Sequence, residues 1–100
     1  MLKIINQVFE IKNKLNLLGE ADAFERNINR LYSIFEEDGY IIQDPTNENY
    51  EASRTDCEAS IVGNASAKMK ITKTLKPIIY QKLQGNVQLQ QKAVVIVEKI

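Results

Sequence analysis

Apolar residues recur at helical spacing through the first part of the chain and switch to strand-like patterns after it. Ile4, Val8, Ile11, Leu15 and Leu18 step by four and three positions, and Leu2, Ile5 and Phe9 widen the stripe. Lys3, Gln7, Glu10 and Lys14 fall opposite, so the spacing predicts an amphipathic helix over Leu2–Leu18, stopped by Gly19. A second stripe of Phe24, Ile28, Leu31 and Phe35 follows, with Tyr32 beside it, and Asp38-Gly39 closes it. Asp22 with Glu25 three residues on reads as a capping box for this helix. A short connection between the two helices predicts an antiparallel pair. Two wide stripes exceed what one helical hairpin can bury. The expected seam of a dimeric four-helix bundle is Ile4, Val8, Ile11, Leu15 and Leu18 with Ile28, Leu31 and Phe35, and docking onto the β unit is the alternative.

After Gly39 the pattern changes. Tyr40–Gln43 and Cys57–Val62 are short strand candidates, separated by the breaker Asp44-Pro45 and a polar loop. Asn64 to Ala67 reads as a small polar connection. A long hairpin then runs from Lys68 to Glu98 around Gly85-Asn86. In its first arm Met69, Ile71 and Leu75 alternate with Lys68, Lys70, Thr72 and Thr74, which predicts a half-buried strand. Pro77 cannot donate to a ladder and marks an edge or bulge. In the second arm Ala93-Val94-Val95-Ile96-Val97 is the most apolar run, expected to be central and covered on both faces. The fold class that follows is α+β: a helical hairpin over residues 1–39, then a small antiparallel β roll or barrel over 40–100.

Composition narrows the function. Lys+Arg and Asp+Glu are 13 each, but residues 1–50 hold five basic against nine acidic side chains and 51–100 hold eight against four. A balanced charge disfavours a dedicated nucleic-acid binder. Lys68, Lys70, Lys73, Lys76, Lys82 and Lys92 read either as a patch for an acidic partner or as guards against edge-to-edge aggregation. Glu36, Glu37 and Asp38 crowd a helix C-terminus, where the dipole disfavours them, and so are either partners for basic groups or a solvated end. No histidine occurs, which removes the commonest general base and metal ligand. Cys57 stands alone between Asp56 and Glu58, whose charges raise a thiol pKa rather than activate it. No catalytic, cofactor or metal site is expected, hence no enzyme and no cofactor. A single cysteine excludes an internal disulfide, and no stretch reads as a signal peptide or membrane span. The expectation is a cytoplasmic protein.

Three stretches resemble the GrpE family, the nucleotide exchange factors of Hsp70-type chaperones. INRLYSIFEEDGYIIQ (28–43) resembles the family's bundle helix running through a glycine into a strand. Asp44-Pro45 with Tyr50-Glu51 resembles the loop that follows, and Gln91 to Val97 is similar to the terminal signature, with Ala93, Val95 and Val97 in the small and Val places. Gln91 replaces the usual Arg of that signature, Pro77-Ile78-Ile79-Tyr80 replaces a Gly-aromatic pair, Asp56–Ala59 lacks the loop's His, and the long N-terminal helix is missing. The resemblance implies a homodimeric co-chaperone whose β domain docks on an Hsp70-type ATPase domain and promotes ADP release. The alternative is a protein-interaction module of that fold without exchange activity. The contact surface expected near the irregular strand edge is Lys73, Lys76, Pro77, Ile79 and Lys82.

Overall fold

A computed structural model describes residues 1–64 and 68–100; Ala65, Ser66 and Ala67, most of the polar connection expected there, lie outside the described residues. Helix α1 spans Leu2–Leu17 and α2 spans Ala21–Glu37. Gly19 between them adopts φ +72, the left-handed stop that its lack of a Cβ permits. The expected capping box does not form. Helix α2 begins at Ala21 behind Glu20, with no side-chain cap, so Asp22 lies inside the first turn and acts there only through the helix dipole. The chain turns back at the connection, which brings the Lys12 Nζ 5.1 Å from the centre of the Tyr32 ring.

Among the described residues seven strands follow: β1 Tyr40–Gln43, β2 Asn49–Tyr50, β3 Cys57–Val62, β4 Met69–Lys76, β5 Ile78–Leu83, β6 Asn86–Gln91 and β7 Ala93–Lys99. They form a three-stranded sheet ordered β1-β5-β6 and a four-stranded sheet ordered β2-β4-β7-β3. This is an α+β fold with a curled, two-part sheet. The long hairpin is present but bends. Its lower arms β4 and β7 pair in one sheet and its upper arms β5 and β6 pair in the other. Pro77 sits at the crossing rather than at an edge: lacking an N–H, it ends the first ladder, and β5 starts one residue later. Not every pairing is antiparallel. Strand β3 runs parallel to β7, with Cys57 opposite Ala93 and Ala59 opposite Val95.

The bend creates two cores. Ile78 and Ile79 are adjacent, so they face opposite sides of β5. Ile78 joins Cys57, Met69, Ile71, Ala93, Val95 and Val97 beneath the four-stranded sheet. Ile79 joins Ile5, Val8, Ile28 and Phe35, with Tyr40 and Ile42 beside them. The helices therefore dock onto the three-stranded sheet, and this core crosses the boundary expected at residue 39. Strand β7 is central, as its sequence predicts, but it is not covered on both faces. Ala93, Val95 and Val97 are fully buried, while Val94 and Ile96 are half-buried.

The helical stripes split on docking. Val8, Ile28 and Phe35, three of the expected seam residues, are consumed inside the chain's own core. The line that α1 buries is Ile5, Val8 and Phe9. Ile4 (56 % exposed), Ile11 (49 %), Leu18 and Leu31 remain exposed, and Leu15 is half-buried. The widened stripe on α1 had two possible centres, and the sheet took the one led by Ile5.

Candidate partner-binding surface

Strand β4 does not keep the alternation its sequence suggests. Register shifts lie between Ile71 and Lys73 and again between Thr74 and Lys76, where β4 runs against β7. Each bulge inserts one unpaired residue and reverses which side chains face inward. Hence Ile71 and Thr74 are buried, three apart, and Leu75 is exposed where alternation had placed it inside. The same bulges turn Thr72, Lys73, Leu75 and Lys76 outward together.

Of the five expected contact residues, Lys73, Lys76 and Lys82 are exposed, whereas Pro77 and Ile79 are fully buried. Those two are corrected to core positions: the switch between sheets needs Pro77 inside the bend, and Ile79 faces the helices. The three lysines also lie on strands of different sheets. Lys73 and Lys76 belong to β4 in the four-stranded sheet. Lys82 belongs to β5 in the other, where its backbone N–H donates to the Gly39 carbonyl at 2.8 Å and its side chain borders a hollow shared with Glu36. The irregular edge expected to carry them together is the point where the chain passes from one sheet to the other.

Lys73 lines a broad open groove of about 660 Å³ between the end of α1 and the loop after β1. Asn13 and Asn16 of α1, Thr46 and Asn47 of the loop, and Thr72 and Thr74 of β4 line it too. Its lining is dense in uncharged donors and acceptors, several already engaged. The Thr46 hydroxyl donates to Asp44 Oδ1 at 2.6 Å, so the Thr74 hydroxyl, 2.8 Å away, is the group that donates to Thr46. The Thr46 backbone N–H donates to the same Asp44 oxygen at 3.0 Å, an Asx turn closing behind the buried Pro45. Asn47 takes φ +75, a conformation its short amide side chain tolerates, and its N–H donates to the Ile71 carbonyl at 2.8 Å. The loop that carries part of the family resemblance is thereby fastened to the bulged strand.

A second clamp fixes the following loop. Arg54 grips Asp56 with two bonds, Nε to Oδ1 at 2.7 Å and Nη2 to Oδ2 at 3.2 Å, and reaches Glu48 Oε1 at 2.9 Å. The Arg54 guanidinium holds the Asp56 carboxyl below the usual aspartate range and is itself more basic for the contact. The neighbouring Cys57 thiol is pushed up to about 11, chiefly by burial, with Arg54 pulling it down and Asp56 adding to the rise. A thiol so protonated is a poor nucleophile near neutral pH. The pattern of residues gave no hint of the Arg54 clamp, because its partners lie two and six positions away in an unpatterned loop.

A third contact was equally hidden. Gln91, noted for replacing an Arg, exchanges amide hydrogen bonds with Asn6 of α1 at 2.8 and 2.9 Å and donates to the Pro77 carbonyl at 2.9 Å. It ties the helix to the bend of the hairpin. Among the described residues, no group of three or more His, Cys, Asp or Glu is placed to hold a metal, and no helix is long and apolar enough to cross a membrane.

No protein-family model, no curated protein and no solved structure matches the chain.

Proposed function

We propose that this chain is a non-catalytic, GrpE-like co-chaperone that acts in the cytoplasm on an Hsp70-type ATPase domain. The observation that supports this reading is where the resembling stretches meet. The signature run Ala93–Val97 pairs with the bulged strand β4, Val97 opposite Ile71 and Val95 opposite Thr74, and the Asp44-Pro45 loop is fastened to that same strand. Lys73 and Lys76 stand exposed on that strand and give it a basic rim for an acidic lobe. Exchange then needs no bond chemistry. A partner that binds the open nucleotide cleft better than the closed one lowers ADP affinity by that difference alone. A second copy contacts the helices through the part of the expected seam that stays exposed, Ile4, Ile11, Leu18 and Leu31.

Release of a fluorescent ADP analogue from the Hsp70-type ATPase encoded in the same genome tests the proposal. The expected result is a drop in ADP affinity of about 5- to 150-fold. Lys73→Glu with Lys76→Glu should reverse most of it. Absence of binding to that ATPase refutes the reading. Binding without accelerated release assigns the chain instead to the second reading, an interaction module without exchange. The replacement of a Gly-aromatic pair by the sheet-switching Pro77-Ile78-Ile79-Tyr80 favours that alternative.

A further inference from the structure

Strand β6 ends the three-stranded sheet, and among the described residues no strand pairs with its outer side in the order β1-β5-β6. Asn86 to Gln90 are all exposed, Val87 at 55 % and Leu89 at 40 %. The turn feeding it fixes which backbone groups face outward. Gln84 and Gly85 take φ +49 and +83, the two positive values of a type I′ hairpin loop. In such a loop the flanking residues Leu83 and Asn86 exchange hydrogen bonds, and the bonded pairs alternate, so Gln81 and Gln88 form the next. Val87 and Leu89 therefore direct their N–H and C=O groups away from β5.

Protein edges of this kind are ordinarily protected by lysines, prolines, bulges or shortness. Strand β6 is six residues long without lysine or proline, and its bulge lies at Gln90, beyond the Val87–Leu89 segment. NVQLQQ carries no charge, no Pro and no Gly over six residues. The other sheet differs. Its edge β2 is two residues long, and its edge β3 carries Glu58.

We infer that β6 is a self-association edge, at which the three-stranded sheet of a second copy of this chain continues antiparallel through its own β6. Charge and pattern both select a copy of the same strand. An uncharged edge meets itself without repulsion, and a two-fold axis at Gln88 sets Val87 against Leu89 in both directions, with Gln88 facing Gln88. The apolar pairs extend a row that already crosses the sheet on the side away from the helices, where Ile41 lies opposite Tyr80 and Tyr80 opposite Leu89. The product is one six-stranded sheet. The surface of the single chain leaves room for such a contact. It exposes 6934 Å², against roughly 5,800 Å² for a compact monomer of this mass. The excess is of the order of the ~800 Å² that each partner contributes to a standard interface. This inference stands apart from the chaperone reading and from the helical contact.

Sedimentation separates the two contacts. In the background Ile11→Asp, which disables the exposed helix face, the chain is expected to remain a dimer at micromolar concentration. Adding Val87→Pro removes one outward N–H at a position where the hairpin needs none, and should give a monomer with an unchanged circular dichroism spectrum. A monomer in the Ile11→Asp background alone overturns the inference, as does a dimer unaffected by Val87→Pro. Should the proline disturb the fold, Gln88→Cys with Cys57→Ala supplies an independent readout. The paired Cα atoms would lie about 4.5 Å apart, within disulfide reach. Mild oxidation should then cross-link most of the protein, and failure to cross-link overturns the edge pairing.

Discussion

Lys73 and Ile79 lie six positions apart in one lysine-rich arm, yet the fold gives them opposite duties. Ile79 is fully buried beneath the helices, and Ile79→Ala should cost about 2–5 kcal/mol in urea unfolding. Lys73→Ala should change stability by less than about 0.5 kcal/mol while weakening partner binding. The sequence could not separate them. Their exposure depends on two bulges and on a change of sheet at Pro77, and neither alters the local hydrophobic pattern. Cys57 was legible as an inert thiol, and the rise expected from Asp56 is present as a lesser cause. Burial leads, and the unforeseen Arg54 opposes it. The pH dependence follows. Between about 9 and 11 the unfolded chain releases the thiol proton while the folded chain keeps it, so this contribution is complete below pH 9 and is lost as pH rises through 11. Asp56 has the opposite sign. Its carboxyl is depressed by Arg54, so its contribution is present above the ordinary aspartate pKa of about 4 and fades as pH falls below it. Melting temperatures from pH 3 to 11 should therefore fall at both ends. Cys57→Ala should flatten the alkaline fall, and Arg54→Met the acidic one.

At the scale of elements, both helices, β1, β3 and the central place of β7 could be read from period and punctuation. Their partners could not. The stripe on α1 is wide enough to face two ways, and only the position of Ile79 and Tyr40 decides that Ile5 rather than Ile4 turns inward. A parallel β3–β7 pair leaves no local signature, since its register is set across the whole length of the hairpin between them. Gln91 shows how one side chain can settle such a geometry. Replacing it by Leu would strand the Asn6 amide and the Pro77 carbonyl, at a cost of about 1–3 kcal/mol. Adding Asn6→Leu should cost less than the sum of the two single changes, because the pair acts as a unit. Denaturant titration of the four proteins in that cycle measures the coupling.

Taken whole, the molecule is a slab of 40 × 39 × 18 Å with a radius of gyration of 14.7 Å, where a compact chain of this length has about 13 Å. A slab this thin has two broad faces for one modest interior, which accounts for the apolar side chains left outside on the helices and on β6. Stability coupled to association should show itself as a midpoint of thermal unfolding that climbs with protein concentration between about 1 and 100 µM. A chain of 100 residues has a thin margin of stability on length alone. The flatness itself comes from the bend, which lays the two sheets side by side. The order of the strands has one more consequence, for synthesis. Strand β7 lies between β4 and β3, both made before it, so the four-stranded sheet has a vacant middle until Ala93–Lys99 leaves the ribosome. At roughly 5–20 residues per second, β3 waits some seconds for its neighbour. The segment most prone to stick to other chains is thus delivered after the strands that cover it, and spends the least time without them.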